Sequence, residues 1–185
     1  DAPVSFGLDQ KTSFEALVAD ISARFVNLDT GQVDHALDNT LPRLGEFLEV
    51  NRGIILQRDD RDQSFVFTHY WSQTGDRPPY LRLDAEKFVP FGIGKLMRGE
   101  THCFSSLDEL PPDSPDRAYL EQRGVKAALN LPLVIDGKVI GTLGFSSLRE
   151  RAWDHTVSTR LRVVADVLAN ALARVRLDAH LRLGA

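Results

Sequence analysis

Apolar residues dominate AALNLPLVIDGKVIGTLGFSS, Ala127 to Ser147, on both sides of the pair Asp136-Gly137. An Asp-Gly pair suits a two-residue turn whose central positions both need positive φ, so this segment is predicted to be a β-hairpin. With Ile135 opposite Lys138, an uninterrupted ladder pairs Val134 with Val139, Leu133 with Ile140, Pro132 with Gly141, Leu131 with Thr142 and Asn130 with Leu143. Cross-strand partners share a face. One face then carries Leu129, Leu131, Leu133, Ile140 and Thr142; the other carries Asn130, Pro132, Val134, Val139, Leu143 and Phe145. Neither alternates apolar with polar as a solvated face does, so the hairpin is expected to be covered on both sides.

Upstream, Phe14, Leu17, Val18, Ile21, Phe25 and Leu28 recur at helical spacing and predict an amphipathic helix from about Asp9 to Asn27. A second helix follows, capped at Asp29 or Thr30. Val33, Leu37, Leu41, Leu44 and Leu48 form its apolar face beside Phe47, and Pro42 is expected to kink it. RGIILQRDD and SFVFTHYWS read as strands around a charged turn at Asp59 to Asp62. Strict alternation puts Phe65, Phe67, His69 and Trp71 on one face of the second strand, and Val66, Thr68 and Tyr70 on the other. Leu83 to Arg98 predicts an irregular helix interrupted by Pro90, Gly92 and Gly94, with Phe88, Phe91 and Met97 apolar. THCFSS reads as a short strand, and the loop after it ends in a short helix that begins near Ser114 or Asp116 and stops at Gly124. A long final helix carries Val157, Leu161, Val164, Leu168, Leu172 and Val175 in one stripe, widened by Val163, Val167 and Ala171.

Strands interrupted by helical excursions define an α+β fold. The expectation is a central, mostly antiparallel sheet of five or six strands. The N- and C-terminal helices lie on one face, and the loops and short helices of Leu83 to Gly124 roof a pocket on the other. Residues 1–8 read as linker or tag remnant, 9–177 as one domain, and 178–185 as the start of a connecting helix. The missing initiator Met and the charged helix at the far end suggest a piece of a longer protein.

Composition narrows the function classes. The 185 residues suit one domain, and 43% hydrophobic with 26% charged residues is a globular balance. A net charge of -4 leaves no global basic footprint for nucleic acid. No apolar run has the length of a membrane span, so neither nucleic-acid nor membrane contact is expected. The single cysteine, Cys103, excludes an internal disulfide and a cysteine-based zinc site, which points to a reducing cytoplasm.

The succession GEFLEVNRGIIL, FTHYWS, RGETHCFSSLDELPPDSPDRAYLEQRGVKAALNLPLVIDGKVIGTLGFSS and RAWDHTVSTRLRVVADVLANAL resembles a GAF domain. It looks most like the type found in bacterial signalling proteins, ahead of sigma-54 activator (AAA+) or histidine kinase modules. The resemblance covers Phe14 to Val175. It implies a sheet with terminal helices on one face and a ligand pocket on the other, and a role in sensing small molecules or in transmission and dimerisation.

The family's chemistries can be tested on this chain's residues. Bilin-binding relatives attach the chromophore to a cysteine typically followed by histidine; here His102 precedes Cys103 and Phe104 follows, and Cys103 reads as a small buried hydrophobe. The NKFDE-like signature of cyclic-nucleotide relatives is missing, and sulfoxide-reducing relatives need more cysteines than one. For haem or iron the candidates are His69, His102 and His155, none at metal-ligand spacing. The cofactor is therefore unknown, with no motif for bilin, cyclic nucleotide or haem. No phosphate loop, Gly-x-Ser-x-Gly elbow or distinct carboxylate pair supports catalysis. The candidate ligand pocket comprises Phe67, His69, Trp71, Phe88, Phe91, Cys103, Asn130, Leu143 and Phe145, with His69 its best histidine. Asn130 is a buried-looking amide that must find a partner, in neighbouring backbone or in a ligand. Gly141 and Gly144 are expected to let a helix or Pro132 approach. Arg174, Arg176 and Arg182 read as the polar side of the last helix.

The apolar width of the terminal helices has two readings. It is buried wholly within the domain, or it pairs two copies in a four-helix bundle through Leu17, Ile21, Leu161, Val164, Leu168 and Leu172. The leading expectation is a non-enzymatic, cytoplasmic sensory module, homodimeric, that answers a small-molecule effector and signals through its C-terminal helix to an output domain. The alternatives are a ligand-free dimerising spacer and, behind it, a redox enzyme.

Overall fold

A six-stranded sheet in the order β3-β2-β1-β6-β5-β4 organises the protein, in a computed structural model that describes residues 7–184. The strands are β1 (Arg52–Arg58), β2 (Phe65–Ser72), β3 (Arg82–Leu83), β4 (His102–Phe104), β5 (Ala127–Ile135) and β6 (Lys138–Ser147), and every neighbouring pair is antiparallel. Helices α1 (Leu8–Val26), α2 (Val33–Phe47) and α6 (His155–Leu183) supply the core of one face; α3 (Ala85–Phe88), α4 (Pro90–Met97) and α5 (Pro115–Gln122) cover the other. The architecture is the expected α+β sandwich. Of the residues read as linker, 1–6 lie outside the described residues, and Leu8 already belongs to α1.

The hairpin turn forms as the sequence demands, with Asp136 at φ 51° and Gly137 at φ 75°. Two residues into the ladder the register changes. Val134 pairs with Val139, but Leu133 pairs with Gly141, which leaves Ile140 as an extra residue. This β-bulge moves every later β6 side chain to the face opposite the one simple alternation gives. Leu143 and Phe145 therefore join Leu129, Leu131 and Leu133 in the helix-side core, while Thr142 faces away with Pro132. Gly141 is needed at the bulge because a Cβ there would lie 2.2 Å from the Leu56 carbonyl oxygen. A strand backbone occupies that space, not a helix or Pro132.

A second bulge, between Ile55 and Leu56 in the pairing of β1 with β2, sets Ile55 opposite His69 and Leu56 opposite Phe67. Thr68 is the extra residue. Phe65 and Phe67 consequently face the roof, whereas His69 and Trp71 turn to the helix side. His69 is buried there between Thr68 Oγ1, 2.8 Å from Nδ1, and Asp34 Oδ1 on α2, 3.0 Å from Nε2. Trp71 lies across Gly45 of α2, where a Cβ would meet its ring at 2.2 Å.

The helical layer follows its periodicity. Phe14, Val18, Ile21 and Phe25 of α1, and Val33, Leu37, Leu41 and Leu44 of α2, are buried against the sheet and α6. A short 3-10 turn at Thr30–Gln32 precedes α2, so Gln32 and not Asp29 or Thr30 stands at the start of that helix, and neither Asp29 nor Gln32 makes a capping side-chain hydrogen bond. Pro42 does not interrupt α2; the carbonyl it leaves without a helical donor belongs to Asp38, an exposed residue open to water. Asp154 caps α6 by accepting from Thr156 N and Val157 N at 2.8 and 3.2 Å.

Most of the wide stripes is buried within this one chain. Ile21, Leu161, Val164, Leu168 and Leu172 are buried within this one chain, and Leu17 packs on the same core. They are not free to meet a second copy, because α1 and α6 pack against the sheet and each other. The apolar side chains left exposed on α6 are Val163, Leu177, Leu181 and Leu183. Arg174 and Arg176 are not an idle polar side: Arg174 donates to Phe25 O at 2.7 Å and Arg176 to Arg58 O at 3.0 Å, which ties α6 to the ends of α1 and β1. No helix among the described residues is long and apolar enough to cross a membrane.

Candidate functional site

Between the sheet and the roof of α3, α4 and α5 lies a cavity of about 120 Å³. Its floor is dictated by register. Tyr70 pairs with Ile54, Ile54 with Gly144, Gly144 with Asn130, and Asn130 with His102, so these five residues form one transverse row across β2, β1, β6, β5 and β4. The row leaves a dip at Gly144, over which the Asn130 amide lies; a Cβ on Gly144 would come within 2.5 Å of Asn130 Oδ1. Leu56, Phe67 and Thr142 flank the row on one side, and Arg52, Ser146, Ala128 and Phe104 on the other.

The roof is anchored by a buried carboxylate. Asp116, in the first turn of α5, accepts from Phe91 N at 3.0 Å and Gly92 N at 2.9 Å, and from the Ser114 hydroxyl at 2.5 Å. The amides at the start of a helix have no partner within it, and the helix dipole favours negative charge there. Asp116 thus completes the start of α4 and joins α4 to α5. Gly92 is required at this point because a Cβ would touch the His102 ring at 2.9 Å.

Polar groups in the cavity wall are left without partners. His102 Nδ1 and Tyr70 Oη are buried and reach no hydrogen-bond partner among the described residues. Burial first, and then the Lys95 ammonium, lower the His102 pKa to about 4 against an opposing effect of Asp116, so the imidazole is neutral at physiological pH. Burial pushes the Tyr70 hydroxyl upward, opposed by the Arg52 and Arg123 guanidinium groups. Arg52 donates to Arg123 O at 2.9 Å and to Asp76 Oδ2 at 3.1 Å. Arg123 lies 5.8 Å from the centre of the Tyr80 ring and 5.7 Å from that of Tyr119. The hydroxyls of those two rings bond each other at 2.5 Å, and burial, the larger cause, together with that bond pushes Tyr119 well above the usual phenol range.

Of the residues expected in the pocket, Phe67 and Asn130 line it. His69, Trp71, Leu143 and Phe145 lie on the opposite face, displaced by the two bulges. Phe88 and Phe91 sit on the outside of the roof, 39% and 36% exposed, against the rings of Tyr119 and His102 respectively. Cys103 is exposed, not buried: β4 is an edge strand, and Cys103, opposite Leu129, points away from the cavity. The side-chain amide of Asn130 makes no hydrogen bond to neighbouring backbone among the described residues. Tyr70, Arg52, Asp116, Tyr119 and Arg123 were not singled out in the sequence; the one available signal was Ser114-Pro115-Asp116, which marks a helix start but not what its carboxylate reaches. No group of three His, Cys, Asp or Glu able to hold a metal occurs among the described residues.

Comparison with known proteins agrees with this fold. The chain is 25% identical over 173 residues to the methanogenesis regulatory histidine kinase FilI of Methanothrix harundinacea (strain 6Ac), an alignment that covers 89% of this chain and 19% of that protein. The chain thus spans about a fifth of that relative's length. The phycocyanobilin-bound GAF domain of a cyanobacterial phytochrome shares the fold with a TM-score of 0.74 at 19% identity, over 96% of this chain and 100% of that one. The free methionine-R-sulfoxide reductase of Neisseria meningitidis, solved with its substrate, does so with a TM-score of 0.71 at 20% identity, over 96% and 98%. The GAF domain family model matches residues 32–172, from the turn before α2 to the middle of α6 and so across the whole sheet and roof; the chain belongs to the GAF domain family.

Proposed function

We propose that this GAF domain is a non-enzymatic sensory module of a cytoplasmic signalling protein, which binds a small molecule in the roofed cavity and reports its occupancy through α6. The observation that carries the proposal is the pair of buried, unpartnered groups, Tyr70 Oη and His102 Nδ1, in the wall of the roofed cavity. A buried polar group without a partner costs about 1–3 kcal/mol, which a ligand would recover. Cys103 points away from the cavity, which argues against thiol redox chemistry there.

Transmission has a physical route. Arg162 of α6 donates to Gly99 O at 3.0 Å and to Thr101 Oγ1 at 3.1 Å, in the turn between α4 and the strand bearing His102. Trp153, just before α6, donates from Nε1 to Phe104 O at 3.0 Å. A ligand that favours one position of α4 therefore acts on the root of α6, as a shift between two roof arrangements. Residues 178–185 begin the connection to an output domain. A histidine kinase output is supported by the kinase relative, and a sigma-54 activator is the alternative. Leu177 and Leu181, one turn apart and both exposed, are where a second copy would pack to form a homodimer.

A thermal-shift and native mass-spectrometry screen with small metabolites tests the reading, since a ligand bound only by the folded state raises its stability. No ligand among them, with a dimer persisting in sedimentation, would leave the spacer reading in its place. A monomer at high micromolar concentration would remove the dimer.

A further inference from the structure

Resting on the cavity as a ligand site, we propose that its ligand is a small organic carboxylate, with a short apolar body, whose charged end lies between Arg52, Arg123 and Tyr70. The cavity does not end at these residues. Arg52, Tyr119 and Arg123 also line an outer hollow of about 380 Å³, together with Asp76, Arg77 and Tyr80. They form the partition between the two spaces, so a molecule that enters this way meets them first.

The charge of that passage is one-sided. Three guanidinium groups, Arg52, Arg77 and Arg123, face one carboxylate, Asp76. Asp76 is already engaged by Ser72, by Thr74 Oγ1 at 2.9 Å and by Arg52 at 3.1 Å, and the Ser72 bond first among these holds it below the usual carboxylate range. Arg123 is held by two aromatic rings and by no carboxylate among the described residues. Tyr70 Oη, buried next to both Arg52 and Arg123, has a hydroxyl to donate and nothing to receive it. Arg123, which no carboxylate among the described residues compensates, beside the Tyr70 hydroxyl and close to Arg52, suits an anion with two acceptor oxygens. A neutral ligand would shield Arg123 from water and leave its charge uncompensated, which is unfavourable.

Beyond the partition the wall is mostly apolar, with Ile54, Leu56, Phe67, Ile93 and Leu96; His102 and Asp116, whose carboxylate is already engaged by the Phe91 and Gly92 amides, also line it. An apolar cavity of about 150 Å³ takes up benzene, so about 120 Å³ suits one small ring or a chain of about five carbons. Asn130, at the floor, can hydrogen-bond one polar substituent at the far end. This combination disfavours inorganic phosphate, which has no apolar body to fill the space.

The test compares benzoate and hexanoate with benzamide, hexanamide and inorganic phosphate, by calorimetry and thermal shift on the wild-type protein and on Arg123→Gln and Tyr70→Phe. The expected result is that each acid binds at least about tenfold more tightly than its amide. Arg123→Gln should remove that preference, and Tyr70→Phe should reduce it. The unliganded unfolding transition of each variant reports whether it folds as the wild type does. Amides that bind as well as the acids, or phosphate that binds better, would overturn the carboxylate and leave the cavity reading standing. Silence from every probe would overturn both.

Discussion

Replacing Asp116 by alanine tests the idea that one carboxylate holds the roof together. The side chain is 1% exposed and accepts two backbone amides of α4. Its removal leaves the Gly92 amide buried without an acceptor, because Gly92 packs against the His102 ring, while the Phe91 amide belongs to a residue 36% exposed and can turn to water. A hydrogen bond to a charged group contributes about 1.5–3 kcal/mol, and a buried donor without a partner costs about 1–3 kcal/mol. Counting Gly92 in full and Phe91 at a fraction gives about 2–4 kcal/mol for opening the roof. Native-state hydrogen exchange reads this directly: the Gly92 amide in Asp116→Ala should exchange about 30- to 700-fold faster than in the wild type, since about 1.4 kcal/mol is tenfold. Amides in β5 and β6, whose core lies on the other face, should move less than Gly92 unless opening is global. Urea denaturation then separates the two, as a smaller slope marks a roof already loosened in the native state. Gly92 exchange within about threefold of wild type would refute the reasoning, because the carboxylate would then be dispensable for the start of α4.

Three further outcomes are expected. His102, held near pKa 4 in the fold against 6.5 as its ordinary value, takes up its proton more readily when unfolded, so its contribution is complete above pH 6.5 and is lost as pH falls toward 4; the difference is worth about 3 kcal/mol. Denaturation from pH 7 to 4 should show that slope in the wild type and a smaller one in His102→Gln. Gly144→Ala places a methyl 2.5 Å from Asn130 Oδ1 and 3.1 Å from Ile54, so it should weaken ligand-dependent stabilisation while costing under about 2 kcal/mol of stability; adding Asn130→Ala should restore binding of a purely apolar probe, measured by thermal shift. Arg162→Met removes the bonds to Gly99 and Thr101, and should lower stability by about 1–3 kcal/mol in urea and speed exchange of the Gly99–Thr101 turn.

Much of the fold was legible in the sequence because its signals are local. The stripe Val33, Leu37, Leu41, Leu44 specifies a helix and its buried face together, and that face is buried. Asp136-Gly137 names its own turn, since both residues must reach positive φ. Apolar residues on both sides of β5 and β6 required two covering layers, and two are present. The assignment of side chains to those layers was less legible. Alternation is reliable only while the ladder is unbroken, and one inserted residue at Ile140 and another at Thr68 reversed the face of everything beyond them. Leu143, Phe145, His69 and Trp71 left the pocket for this reason, and Tyr70 entered it. Both bulges fall within runs of apolar or β-branched residues, where an extra residue leaves no mark in the polarity pattern.

The sequence by itself determined the elements, the turn chemistry and the two-layered sheet, because propensity, capping and periodicity act over a few neighbouring residues. Only the tertiary structure decided which polar groups meet. Tyr70, Asn130 and His102 share a row because four separate strand pairings align them. Asp116 finds the start of α4 from 24 positions away in sequence, and Arg123 reaches the cavity mouth from the end of α5. Such contacts follow from how packed layers close over one another, and no local pattern encodes them.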